Sequence, residues 1–336
     1  MPNIKEIAKQ AGVSVTTVSR VLNNHPYVAS DKRERVQKVI QELDYIPNRS
    51  ATNLALGKTN TVGVILPYND HPWFDKVVNG VLDAAFRKKY SVTLFPTGYD
   101  AKTEEKYLMM LKTKQVDGLI IASRANTLEL ISEYAEYGPI VVSEETSLPG
   151  LSSAYIDRSK AYQEGFRFLK ERGYHNVCFT NGRARSISPS TRNKMKAFEA
   201  VFGKKAKNYA LNDCYTVQDG IRAAEYFFEE KGMKPDAFYA NGDEVAAGIM
   251  VYARQKGMRV PEDIAILGQE NLPIGLVLEL TTLDHHLKKM GETAFSIFYS
   301  KEIRKERIAH ELIIRKSVLK IFYKFLDMKP VSSCTT

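Results

Sequence analysis

IKEIAKQAGVSVTTVSRVLNN, residues 4–24, decides how this chain begins to fold. Apolar side chains fall at Ile4, Ile7, Ala8 and Ala11, then at Val15, Val18, Val21 and Leu22, the spacing of one buried helix face in each run. Between the runs Gly12 can take the positive φ of a tight turn, and Ser14 can cap the second helix. A third stripe, Val36, Val39, Ile40 and Leu43, closes a small three-helix core. The pattern predicts a helix-turn-helix.

The second helix carries an unusual outer face: Ser14, Val15, Thr16 and Thr17 at its start, then Ser19, Arg20 and Asn23. Short hydroxyls at a helix N-terminus let phosphate oxygens approach the backbone N–H groups closely. In this motif the first turn of the second helix faces base edges. Val15 can touch a thymine methyl, Thr16 can bond either kind of edge, and Arg20 can reach guanine or phosphate. A solvated surface helix is the bland alternative, and the three-helix pattern weighs against it. Charge agrees: residues 1–58 hold nine Lys or Arg against five acids.

After Tyr45-Ile46-Pro47 comes NRSATNLALGKTN, residues 48–60, with a narrow apolar stripe and too little length to stand alone as a helix. Such a segment folds with a partner. Leu54 is placed to wedge between base steps in a minor groove, with Asn48, Arg49 and Ala51 as further DNA contacts; a plain tether with an incidental leucine is the other reading. Gly57-Lys58-Thr59 invites a phosphate-loop reading, but Thr52 stands where that loop needs glycine.

The chain has 336 residues, a net charge of +9 and 44% apolar content, with no apolar run long enough for a membrane span. No secretion signal is read at the N-terminus. Cys178, Cys214 and Cys334 are far apart, which fits a reducing compartment and offers no metal spacing. A cytoplasmic, cofactor-free, metal-free protein is expected.

From residue 61 strand-like runs alternate with amphipathic stretches: TVGVIL (61–66), SVTLF (91–95), GLIIA (118–122) and PIVVS (139–143), then NVCFT (176–180), a strand near 207–211, AFYA (237–240) and DIAILG (263–268). Helices are expected around 73–88, 103–114 and 127–136 in the first series, and around 190–202, 217–230 and 243–256 in the second. Two such series mean two lobes, each a parallel sheet covered on both faces, with one ligand cleft between strand ends. Candidate ligand contacts follow strands: Trp73 and Phe74, Asp157, Arg192, Asp243 and Glu270. Asp243 also reads as a helix cap. No catalytic set stands out, since His285 and His286 are adjacent and neither G-x-S-x-G nor G-x-G-x-x-G occurs.

IKEIAKQAGVSVTTVSRVLNN together with YIPNRSATNLALG resembles the headpiece and hinge of the lactose/galactose-repressor family of bacterial transcription regulators. VDGLIIA (116–122), NGDEVAAGIM (241–250), MRVPEDIAILGQEN (258–271) and LTTLDHHLKKMGETAF (280–295) resemble that family's core. The resemblance implies an α/β fold: an all-α helix-turn-helix headpiece (1–46), a hinge (47–60) and a two-lobed periplasmic-binding-protein-like core with parallel sheets (61–336). The lobes would comprise 61–156 with 288–313, and 157–287 with 314–336. It further implies a homodimer on double-stranded, near-palindromic operator DNA, and a repressor controlled allosterically by a small molecule. The implied effector contacts are Trp73, Phe74, Asp157, a basic residue at Arg192 or Lys194, Tyr215 and Glu270. A sugar or sugar phosphate is the expected effector. A purine-responsive regulator, a sugar-binding import receptor and an enzyme on the same fold are the competing readings. Residues 319–336 extend past the family's usual end and show no heptads.

Overall fold

A computed structural model describes residues 3–45 and 57–318. The expected hinge contacts Asn48, Arg49, Ala51 and Leu54, and the tail 319–336, lie outside the described residues. The chain divides into two compact units, Met1–Thr59 and Asn60–Thr336.

The first unit contains α1 (Ile4–Ala11), α2 (Val15–Leu22) and α3 (Ser30–Glu42). Asn3 caps α1 through its side chain, and Gly12 ends it at φ 64, the left-handed conformation that glycine adopts without a Cβ penalty. Ile7, Ala8, Ala11, Val18, Val21, Val36 and Val39 form the core. Val15 departs from the expected stripe: at the first position of α2 it is 42% exposed and takes no part in that core.

The second unit holds two six-stranded sheets. The first runs β11 (Lys305–Ile308), β5 (Leu151–Ile156), β4 (Ile140–Val142), β3 (Gly118–Ile121), β1 (Thr61–Leu66), β2 (Ser91–Pro96), parallel throughout. The second runs β12 (Glu311–Ile313), β10 (Thr281–Asp284), β9 (Ala265–Gln269), β8 (Ala237–Tyr239), β6 (Val177–Thr180), β7 (Ala210–Leu211), with β12 alone antiparallel. Each expected strand is present, that near 207–211 shortened to β7 behind a 3-10 turn. β5, LSSAYI, escapes periodicity because serines interrupt a strand whose positions are nearly all buried.

Helices cover both faces of each sheet. On the first, α4 (Pro72–Arg87) packs beside α12 (Leu287–Ser300), with α5 (Ala101–Lys112) and α6 (Leu128–Glu133) on the opposite face. On the second, α7 (Arg158–Glu171) and α8 (Pro189–Phe202) lie on one face, α9 (Val217–Glu225) and α10 (Asp243–Gln255) on the other, and α11 (Pro273–Val277) follows β9. The chain passes between sheets at residues 156–158, 284–287 and 308–311. One expected boundary therefore moves: residues 311–313, assigned from sequence to the first lobe, pair with β10 in the second, because a three-residue strand at a crossover belongs to whichever sheet edge accepts its hydrogen bonds. No helix among the described residues is long and apolar enough to cross a membrane.

Candidate functional site

The outer face of α2 presents Val15, Thr16, Arg20 and Asn23 to solvent, while Thr17 and Ser19 are half-buried. Two of the hydroxyls have structural work. The Thr17 N–H donates to Ser14 Oγ (3.2 Å), and the two side-chain oxygens lie 2.9 Å apart. Ser14 is thus the helix cap, which satisfies one of the amides left free at a helix start. Asn23 donates to Ser19 O (2.9 Å), closing the other end. Thr16 and Arg20 are both exposed on this face, with side chains open to a partner.

In the second unit the C-terminal ends of the strands of both sheets converge on one cleft enclosing about 930 Å³, part of it open to solvent. A cleft at strand ends lined by aromatic and polar side chains is a setting for a small organic molecule. After β1, the loop Tyr68–Phe74 builds an aromatic wall at the start of α4. Trp73 and Phe74 meet edge to face at 4.8 Å, and His71 stands 5.6 Å from Phe74 and 6.1 Å from Tyr215 of the second lobe. His71 Nδ1 accepts the Trp73 N–H (3.2 Å), and burial lowers its pKa, so this ring is an uncharged wall element near neutral pH. Opposite lie Tyr162, Arg183, Asn241, Gln269 and Glu270.

Glu270 closes the far end. Its backbone sits at φ 89, a strained conformation for a residue with a Cβ, and its carboxylate lies 3.3 Å from His285 Nδ1 through both oxygens. Lys76 of α4 donates across the cleft to the carbonyls of Glu270 (3.0 Å) and Asn271 (2.7 Å), tying the lobes together at this point.

Of the residues expected around a ligand, Trp73, Phe74, Tyr215 and Glu270 line this cleft. Four do not. Asp157 caps α7, accepting from Lys160 N (3.1 Å), and pairs with Lys160 and Arg307 beside a neighbouring depression. Arg192 turns back to the carbonyls of Arg185 (3.0 Å) and Ser186 (3.3 Å) and so holds its own loop. Lys194 is only 1% exposed, its amine lying within hydrogen-bond distance of Thr180 O, Tyr239 O, Ala240 O and Gln269 Oε1. With no carboxylate among these acceptors, burial pulls its pKa well below the usual lysine value, and the side chain pins the ends of β6, β8 and β9 beneath the cleft. Asp243 is not the cap of α10, a position held by Gly242. Its buried carboxylate accepts from Leu272 N and Thr282 Oγ1, each at 2.7 Å.

The basic residues that do reach the cleft are Arg158 and Arg183. Sequence reading missed both, together with Tyr68, His71, Tyr99, Tyr162 and Asn241. Tyr68, Tyr99, Arg183 and Asn241 each follow within a few residues of a strand end, so a stricter use of the strand-end rule finds them.

Residues 3–48 match the model of bacterial regulatory proteins of the lacI family. Residues 59–316 match that of periplasmic binding proteins and the sugar binding domain of the LacI family. The chain belongs to the LacI family. Catabolite control protein B of Bacillus subtilis strain 168 is 49% identical to it over 311 residues, 93% of this chain and 98% of that protein. The NTD biosynthesis operon regulator NtdR of the same bacterium is 36% identical, covering 88% of this chain and 91% of its own length. Among solved structures, the lac repressor dimer bound to operator and the anti-inducer ONPF has a TM-score of 0.80 at 21% identity, covering 95% of this chain and 99% of that one. A transcriptional regulator, CelR, in complex with cellobiose has a TM-score of 0.67 at 22% identity, covering 94% and 100%. These two show likeness of fold. As a LacI-family member the chain is a DNA-binding transcription regulator rather than an enzyme, with a helix-turn-helix unit followed by a core of the sugar-binding type.

Proposed function

We propose that this regulator is a repressor that binds operator DNA as a homodimer and is controlled by a carbohydrate, a sugar or sugar phosphate, held between its two core lobes. The observation that carries the ligand half is the aromatic wall of Trp73 and Phe74 facing Tyr215, Asn241 and Glu270 across a cleft that opens between two lobes. Ring faces accept the apolar side of a pyranose, and amide and carboxylate groups accept its hydroxyls. A ligand that touches both lobes has different affinity for open and closed forms, which is the condition for it to shift the equilibrium between them. Lys76, bridging to Glu270 and Asn271, sits where such closure is felt.

The DNA half rests on Val15, Thr16 and Arg20, the exposed side chains of α2. Ser14, Thr17, Ser19 and Asn23 frame that helix and offer backbone and hydroxyl contacts to phosphates. Asn48, Arg49, Ala51 and Leu54 are the proposed hinge contacts, with Leu54 as a minor-groove wedge, on the strength of the sequence.

The test is binding of the full chain to an operator obtained by selection from random duplexes. Arg20→Ala is expected to weaken binding by roughly 10- to 100-fold, the range for an arginine that reads a guanine or grips a phosphate. Leu54→Ala is expected to weaken it and to reduce the DNA bend. Unchanged affinity in both variants overturns the assignment of the interface. Titration of the operator complex with sugars, sugar phosphates and purines then identifies the ligand class, and a rise or fall in operator affinity separates co-repression from induction.

A further inference from the structure

Charge is unevenly distributed along the cleft. Arg158 and Arg183 enter from the second lobe, at the start of α7 and after β6, and both lie on aromatic rings of the first. The Arg158 guanidinium carbon is 5.3 Å from the centroid of the Trp73 ring, and that of Arg183 is 3.7 Å from the centroid of Tyr99. Both also line the neighbouring depression, so they stand at the junction of the two spaces.

Neither arginine is ion-paired with a carboxylate among the described residues. The acids of the neighbouring depression have other partners. Glu144 is held by Arg124, Asp157 by Lys160 and Arg307, and Glu145 accepts the Tyr155 hydroxyl (3.3 Å). The polar contact of Arg158 is with Ser190 Oγ (3.0 Å), which is itself 2.6 Å from Tyr162 Oη. Both cations act electrostatically on the Tyr99 phenol, whereas the two carboxylates of the cleft, Glu244 and Glu270, act on His71. The arginines thus lie over Trp73 and Tyr99, while the Glu270 carboxylate sits beside His285.

A guanidinium that faces a cleft without a carboxylate retains donors for a bidentate anion contact. We propose that the ligand of this cleft is an anionic sugar, whose phosphate or carboxylate is held by Arg158 and Arg183 with Ser190, while Glu244 and Glu270 accept its hydroxyls at the opposite end. This rests on the reading of the cleft as the effector site and narrows the chemical class of the effector. Because each arginine rests on a ring of the facing lobe, an anion that draws them off those rings also changes what joins the lobes.

The experiment uses the full chain and the fluorescence of Trp73, the sole tryptophan, over which Arg158 lies. Matched sets of a hexose, its phosphate ester and its uronic acid are titrated alongside inorganic phosphate. At least one anionic member is expected to bind about 30-fold or more tightly than its neutral parent, the difference that a charge-assisted contact supplies. Preference for the ester over the acid, or the reverse, identifies the anion. Arg158→Gln and Arg183→Gln are each expected to lower binding of the anionic sugar by about 10- to 100-fold and to leave that of the parent within a few-fold. Arg167→Gln, on the outer face of α7, serves as a control for loss of positive charge alone. Equal binding of parent and anionic sugar, or equal losses for both in the arginine variants, overturns the anion reading while leaving the cleft as a sugar site. Binding of inorganic phosphate as tight as that of any ester also overturns it, since the sugar then contributes nothing. Silence of every sugar overturns the effector-site reading itself.

Discussion

Gly291→Val is expected to lower the melting temperature of the protein by roughly 10 °C, a loss of about 3 to 5 kcal/mol in a domain of this size. Gly291 lies in α12 where that helix crosses α4, and a Cβ there would stand 2.0 Å from Val77 O and 3.0 Å from Val81 N. The contact is reciprocal, since a Cβ on Gly80 would stand 2.0 Å from Lys288 O. Backbone cannot be moved aside as a flexible side chain can, so the helices must separate and their shared core, including Val77, Val81, Met290 and Ala294, loses packing. Because Trp73 and Phe74 open α4, the displacement reaches the aromatic wall of the cleft. A melting curve by circular dichroism checks the first effect and a shift in the Trp73 emission maximum checks the second. A variant melting within a degree of the parent would show that the crossing is more compliant than its geometry indicates.

The second large effect concerns Asp243. Burial pushes its carboxyl up to about 7 from an ordinary 3.8, against the opposing pull of hydrogen bonds from Thr282 and Leu272. Gly268 and Gly275 leave room for it: a Cβ on either would collide with its oxygens at 2.2 and 2.5 Å. A folded-state pKa above the unfolded one means that the native state keeps a proton which the unfolded chain has released between pH 4 and 7. The slope of stability with pH is then negative in that window. Stability from this group is complete below pH 4, is lost as pH rises toward 7, and changes no further above it. Its span is on the order of 4 kcal/mol from a shift of about three units, as an upper bound. Asp243→Asn, which keeps the shape and cannot ionise, is expected to remove that part of the slope. Urea unfolding at pH 4.5 and 7.5 measures it: the stability difference between the two pH values should change by a few kcal/mol between parent and variant. Identical slopes would mean that Asp243 stays ionised in the native state. Leu272, bonded to Asp243, lines the cleft two residues after Glu270, so ligand affinity should follow the same titration.

The legibility of the sequence differed between elements and sites. The three helices of the first unit lie close to their anticipated positions because each has its own apolar stripe, and α1 and α2 each have a side-chain cap. Eight strands followed from the alternation of apolar runs and helices, while β5, β10, β11 and β12 were not anticipated and residues 311–313 were assigned to the other lobe. At the cleft, Trp73, Phe74, Tyr215 and Glu270 are among the lining residues, whereas the basic side chains that line it are Arg158 and Arg183 and not Arg192 or Lys194. Nothing local distinguishes Arg192, which folds back on its own loop, from Arg183, which crosses to Tyr99.

By itself the sequence determined the helix-turn-helix, the two α/β series and the family, because these depend on interactions repeated along a few neighbouring residues. Tertiary structure alone decided which charges face the cleft. Asp157 and Arg158 are adjacent in the chain, yet the first caps a helix outside the cleft and the second lies over Trp73 inside it. Lys194, two residues from Arg192, is drawn beneath the sheet by four oxygen acceptors from distant strands. The direction of a side chain at a helix start is fixed by how that helix is rotated against its sheet, and that rotation is set by the packing of residues far away in the chain.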